Sequence, residues 1–346
     1  MNVLITGGAG FLGLHLASYF EKKKHNLTLL DIHDFDRLEY PGNYKLLQLD
    51  IRDKDKLQEA CKQQDIIIHA AAALPLWKKE DIYTVNSDGT RNVIEAAEKN
   101  GVARLIYISS TAVYGVPKKH PIMEGDPLVG VGAYGHSKIA AENHCFEAMR
   151  AGAPITIFRP KTFVGTGRLG VFEILFDWIH DGKRIPVVGN GHNRYQLLDV
   201  DDLVEAIYRF TQKNKKEYND VFNIGAKEFG TVENDLGSLF AFAHSGAKLF
   251  TTPAYPVKKA LWFFEKIGVS PLYQWVYDTA DKDSFVSIDK LCTVLSWEPK
   301  YSNSKALIKA YQWYLDHYSM IKAKKPGITH TVGWEQGVLR VFKKFL

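Results

Sequence analysis

Through the first 160 residues, short β-branched runs alternate with segments whose apolar positions recur every three or four residues. The runs at 3–6, 27–31, 44–49, 66–69, 105–109 and 155–158 predict strands, and the segments 11–23, 53–61, 81–100 and 132–150 predict helices. Strands that alternate with helices in this way build a parallel sheet covered on both faces, the doubly wound α/β architecture. Past Arg159-Pro160 the alternation breaks down. Segments 172–181 and 201–212 predict helices, the second capped by an aspartate, with a turn at 189–193 between them. Residues 221–224 predict a strand that returns to the sheet. Residues 230–318 are rich in aromatics and punctuated by Pro253, Pro256 and Pro271, which predicts a smaller, mostly helical part over the carboxyl ends of the strands.

Composition narrows the class. A chain of 346 residues with 46% hydrophobic and 24% charged residues is globular and long enough to bury a core. Its net charge of +5 is too mild to imply nucleic acid as a partner. Cys61, Cys145 and Cys292 lie far apart, which predicts neither disulfides nor a zinc site and fits a reducing compartment. Met1 leads straight into Val3-Leu4-Ile5 with no charged n-region, so the reading is of a cytoplasmic chain. No metal site is expected: Asp199, Asp201 and Asp202 read as a helix cap, and His136 and His192 lack partners at ligand spacing.

The segment Thr6-Gly7-Gly8-Ala9-Gly10-Phe11-Leu12-Gly13 joins a strand to a helix. Gly7, Gly10 and Gly13 permit a tight turn and bring the backbone N–H groups of the turn, with Phe11 and Leu12, to a pyrophosphate at the helix N-terminus. Asp31 closes the second strand, 18 residues after Gly13, where a carboxylate accepts from ribose hydroxyls and repels a 2′-phosphate, favouring NAD over NADP. Asp50 and Ile51 follow the third strand, at the expected adenine edge. Ala70 and Ala71, after His69, leave room for the cofactor with their small side chains. A dinucleotide-binding (Rossmann) domain over 1–170, joined again by 196–226, a substrate part over 171–318 and a tail over 319–346 complete the expected organisation.

Tyr134 and Lys138, four apart, share a helical face, and an ammonium beside a phenol lowers its pKa toward acid–base duty. Ser110 ends the fifth strand, placed to hydrogen-bond the oxygen on which Tyr134 acts. Together with TGGAGFLG at 6–13, Asp31, Asp50-Ile51, His69-Ala70-Ala71, Val85-Asn86 with Gly89-Thr90 and Arg159-Pro160, these residues resemble the extended short-chain dehydrogenase/reductases, the NAD-dependent epimerase/dehydratase superfamily, over residues 1 to about 318. The resemblance implies NAD as cofactor and a catalytic triad of Ser110, Tyr134 and Lys138. It also implies that Asn86 props the active-site helix and relays protons through Lys138, and that the helices 81–100 and 132–150 pair two subunits into a homodimer.

Within the superfamily two substrate classes compete. Thr111-Ala112 stands where dehydratases carry an Asp-Glu pair, so dehydration is not expected. Sugar-nucleotide enzymes commonly place a diphosphate-binding arginine seven residues before the second aspartate of Val200-Asp201-Asp202; that position is Tyr195, and Arg194 falls one place early, facing away unless a bulge returns it. The 189–194 segment, the apolar Leu74-Pro75-Leu76-Trp77 and the aromatic clusters at 261–264, 275–277 and Trp297 resemble 3β-hydroxysteroid dehydrogenase-like members. The first expectation is therefore a dehydrogenase of a hydrophobic, sterol- or lipid-like secondary alcohol, with Leu74, Trp77 and Thr111 as candidate substrate contacts and Arg194 as a contact if it reaches a diphosphate. The alternative is a nucleotide-sugar 4-epimerase of the UDP-glucose/galactose type. A nucleotide-sensing member without catalysis is a third reading, opposed by the intact triad.

In the tail, Trp334, Val338, Val341, Phe342 and Phe345 follow helical spacing, with Arg340, Lys343 and Lys344 elsewhere on the wheel. Such a segment, 334–346, lies in a membrane interface or packs on its own domain or on a second subunit; both readings stay open.

Overall fold

The computed structural model describes residues 1–75, 77–267, 274–323 and Lys343. The elements of the first half are β1 (Asn2–Thr6), α1 (Phe11–Lys22), β2 (Asn26–Asp31), β3 (Lys45–Gln48), α2 (Lys54–Ala60), β4 (Ile66–His69), α3 (Lys79–Tyr83), α4 (Thr90–Lys99), β5 (Arg104–Ile108), α5 (Gly132–Arg150) and β6 (Ile155–Pro160). The second half follows with β7 (Phe163–Val164), α6 (Val171–His180), β8 (Arg184–Val188), β9 (Leu198–Asp199), α7 (Val200–Thr211), β10 (Val221–Ile224), α8 (Val232–Ala243), β11 (Lys248–Thr252), α9 (Ala254–Lys266), α10 (Gln274–Thr279), α11 (Asp289–Leu295), α12 (Asn303–Asp316) and α13 (Tyr318–Ala323).

Seven parallel strands form the central sheet in the order β10-β6-β5-β4-β1-β2-β3. The order reverses at β1, so the crevice between the carboxyl ends of β1 and β4 is where such a sheet takes its ligand. β4, β5 and β6 are buried on both faces, which is why their sequences read as apolar runs rather than alternating ones. On one face Leu16 and Phe20 of α1 pack with Leu203, Ile207 and Phe210 of α7; on the other, Leu57, Val93, Ala141 and Cys145 bring in α2, α4 and α5. A third core joins Phe176 and Trp178 of α6 to Leu239, Tyr311 and Tyr314.

Two expectations change. The helix foreseen over 81–100 is interrupted by a π-helical turn, Thr84–Gly89, at whose end Gly89 lets Ile51 pack where a Cβ would collide at 2.5 Å. Helix α7 begins at Val200 and is capped by Asp199, whose Oδ1 accepts from Asp201 N at 2.8 Å. The interfacial reading of 334–346 lies outside the described residues, apart from Lys343. That ammonium ion-pairs with Asp177 (2.5 Å) and Asp181 (2.7 Å) of α6, so this tail charge is taken up within the chain. Among the described residues, no helix is long and apolar enough to cross a membrane.

Candidate active site

The loop after β1 makes a cradle. Gly7 has φ +73°, and a Cβ there would come within 2.7 Å of Ala71 N, so only glycine lets the β1 and β4 ends approach. A Cβ on Gly13 would run into the Gly7 and Gly8 carbonyls, so the helix packs on its own loop for the same reason. The first turn of α1 has no side-chain cap, leaving its N–H groups to a ligand. Asp31 takes Ala9 N and His33 N on its two oxygens, both at 3.0 Å, and burial pushes its carboxyl pKa up despite those bonds. Tyr40, unforeseen in the sequence, donates to Gly8 O at 2.7 Å and steadies the loop from outside.

A cavity of about 640 Å³ runs from this cradle to the ends of β5 and β6. Gly7, Gly10, Phe11, Leu12, Gly13, Asp31, Asp50, Ile51, Ala70 and Ala71 all line it, as do Ser110, Tyr134 and Lys138. The cradle therefore fits a dinucleotide, and two indole N–H groups in its wall, Trp77 and Trp275, are buried with no acceptor among the described residues. Asp50 is less free than foreseen: Arg52 chelates it at 2.6 to 3.1 Å and holds its carboxyl below the usual range.

Ser110 caps a short 3₁₀ turn, accepting from Ala112 N at 3.1 Å. Burial pushes the Tyr134 phenol up to about 12, and the groups that pull it back are Ser110, by a hydrogen bond, and Arg168, by charge. This corrects the expected lowering by Lys138. The Lys138 ammonium donates instead to Ile108 O at 2.9 Å and lies 4.9 Å from the Tyr107 ring centroid, and burial lowers its pKa to about 8. Asn86 donates to Ser137 Oγ of the active-site helix at 3.0 Å, and its amide is otherwise tied to Ala73. Among the described residues no hydrogen bond joins it to Lys138.

On the substrate side Leu74, Trp77 and Thr111 line the cavity, but Arg194 does not. The residue is exposed and its guanidinium stacks 4.7 and 4.6 Å from the Phe229 and Phe285 rings, outside the cavity, and Tyr195 beside it does not line the cavity either. The aromatic clusters disperse too: Trp262 and Phe263 are exposed, Trp297 joins the core under α7, and Trp275 lines the cavity. Two cations that sequence reasoning passed over line it as well. Arg168 stacks on Phe11 and Phe163, 5.2 and 5.5 Å from their centroids. Lys161, buried, donates to Ser284 Oγ at 2.7 Å. Their only sequence signal was proximity to Arg159-Pro160.

Burial lowers the Lys161 pKa to about 7. The folded state then binds fewer protons at this lysine than the unfolded chain between pH 7 and 10.5, so its contribution to stability rises with pH across that window. Lys161→Met is accordingly expected to melt higher than the unmodified protein at pH 6, with the gap closing toward pH 10.5. Melting curves across that range check it; a pH-independent gap refutes the assignment.

Comparison with known proteins agrees with this geometry. Residues 3–225 match the family model described as NAD dependent epimerase/dehydratase family. The uncharacterized protein y4nG of Sinorhizobium fredii is 34% identical over 90% of this chain and 78% of its own length. A UDP-glucose 4-epimerase of Lactobacillus helveticus is 27% identical over 92% of this chain and 98% of its own. Among solved structures, a UDP-glucuronic acid 4-epimerase from Bacillus cereus in complex with NAD superposes with a TM-score of 0.76 at 22% identity, covering 92% of this chain and all of that one. A fold with its order reversal at β1, a glycine cradle and a Ser-Tyr-Lys set in one cavity, joined by these matches, identify the chain as a member of the NAD dependent epimerase/dehydratase family, an enzyme whose cofactor is NAD.

Proposed function

We propose that the protein is a nucleotide-sugar epimerase that inverts a secondary alcohol through a transient ketone. The observation that carries it is the continuity of the cradle with Ser110 and Tyr134 in one cavity. The relatives named as nucleotide-sugar enzymes support this substrate class, as does the wall beyond Ser110, where Thr111, Lys161, Thr162 and Arg168 present polar groups. The sterol reading loses its support with the dispersal of the aromatic clusters.

NAD, when bound, would supply reversible hydride-transfer chemistry with no net redox change. The glycine cradle would hold its pyrophosphate, and Asp31 would take its ribose hydroxyls. Tyr134 removes the proton from the sugar hydroxyl and later gives it back, while Ser110 holds the same oxygen. Lys138, anchored on Ile108 O, has donors left for the ribose. Incubation with UDP-glucose is expected to yield UDP-galactose without net nicotinamide reduction. Reduction of NAD by a 3β-hydroxysteroid, with no sugar interconversion, would overturn the proposal.

Asp31→Asn is expected to weaken NAD binding about tenfold, the scale of a hydrogen bond to a charged group, and to admit NADP. Fluorescence titration with both dinucleotides checks this, and an unaltered preference for NAD excludes Asp31 from the ribose site.

A further inference from the structure

Lys161 is a buried charge the mechanism leaves unused. Strands β5 and β6 pair with Ile108 opposite Phe158, so Ser110 and Lys161 leave the sheet side by side at its carboxyl edge. The carbonyl just before Lys161, Pro160 O, accepts from Thr111 Oγ1 at 3.3 Å, which ties the two loops together. The lysine is 1% exposed and lines the cavity. An ammonium has three donors. Here one goes to Ser284 Oγ at 2.7 Å, and the Nζ lies 4.9 Å from the Tyr195 ring centroid. Among the described residues no carboxylate stands within ion-pair reach of it. Asp283, beside Ser284, is engaged by Arg194 N at 2.8 Å.

An ammonium withdrawn from water without a counter-ion is costly, and the cost is recovered when an anion completes the pair. We propose that Lys161 is the specificity residue of the cavity: its ammonium, held by Ser284 and Tyr195, takes a carboxylate carried on the sugar ring of the substrate. The assignment rests on the nucleotide-sugar reading. Its place next to the Ser110 loop puts the charge at the reacting end, on the sugar rather than on the nucleoside.

The test is calorimetric titration of the NAD-saturated protein with UDP-glucuronate, UDP-glucose and UDP. The unmodified protein is expected to bind UDP-glucuronate about tenfold more tightly than UDP-glucose, and Lys161→Met to erase that difference while UDP binding shifts far less. Lys161→Arg, which keeps the charge, is expected to restore part of the preference. Equal loss for all three ligands in Lys161→Met would assign the ammonium to the diphosphate or to structure and overturn the proposal. Equal binding of the two sugars by the unmodified protein overturns this assignment alone. Failure of both sugars to bind, with NAD binding intact, overturns the nucleotide-sugar reading and this assignment with it.

Discussion

Tyr134→Phe is expected to lower turnover about a thousandfold, the middle of the range for losing a positioned proton-transfer group, with NAD binding and melting temperature preserved. The fold is safe because the phenol oxygen is replaced by nothing larger and Ser110 Oγ keeps its bond from Ala112 N. The pH profile identifies the cause. With the phenol pushed up to about 12, nearly all molecules keep its proton at neutral pH. The deprotonated form removes the alcohol proton, so the oxidation step in the unmodified enzyme should accelerate as pH rises above 7. The phenylalanine variant has no phenol to titrate and should lose that rise. A single-turnover measurement of nicotinamide reduction across pH decides it. Equal slopes for both proteins would move the base elsewhere, and a loss under tenfold would reduce Tyr134 to a positioning role.

What could be read beforehand follows from how local each signal is. The cradle was legible because Gly7, Gly10 and Gly13 meet a steric demand set within one strand, turn and helix. The strands were legible because burial on both faces leaves continuous apolar runs such as Ile66-Ile67-Ile68. The aromatic cluster at 261–264 held no information on what covers it, and Trp262 and Phe263 are exposed. Trp297 illustrates the converse, crossing from a supposed substrate half into the core under α7. Strand parity was no guide at Arg194, which sits in an isolated bridge rather than a strand, and neither it nor Tyr195 lines the cavity. Lys161 was invisible because its meaning depends on Ser284, 123 residues away, and on the missing carboxylate. The packing of Ile51 against Gly89, at the end of the π-helical turn, was hidden as a contact between separate elements. Lys138 shared a face with Tyr134 as expected, yet spacing alone did not reveal that Ile108 O takes its ammonium.

Glu142 was equally hidden, and its removal is expected to give the largest loss of stability. One turn beyond Lys138 on α5, its carboxylate accepts from Arg159 Nε at 2.9 Å and Nη2 at 2.6 Å, and from Ser109 Oγ at 2.5 Å. Both side chains are shut away from water, at 0% and 2% exposure. Arg159 donates further to Tyr114 OH at 2.8 Å, which passes the chain to Asn223 Oδ1 at 2.7 Å. The helix bearing Tyr134 and Lys138 is thereby fastened to β5, β6 and β10 at once. Glu142→Ala strands a buried guanidinium and is expected to cost about 3–5 kcal/mol. The pair itself is worth less than that, because desolvating two charges offsets most of their attraction. Glu142→Leu combined with Arg159→Met should therefore recover much of the stability lost in the single variant, by refilling the space with apolar groups. Chemical denaturation of the three proteins separates these contributions. If the double variant is no more stable than Glu142→Ala, the loss comes from broken packing and not from an orphaned charge; if Glu142→Ala melts with the unmodified protein, the network does not fasten α5.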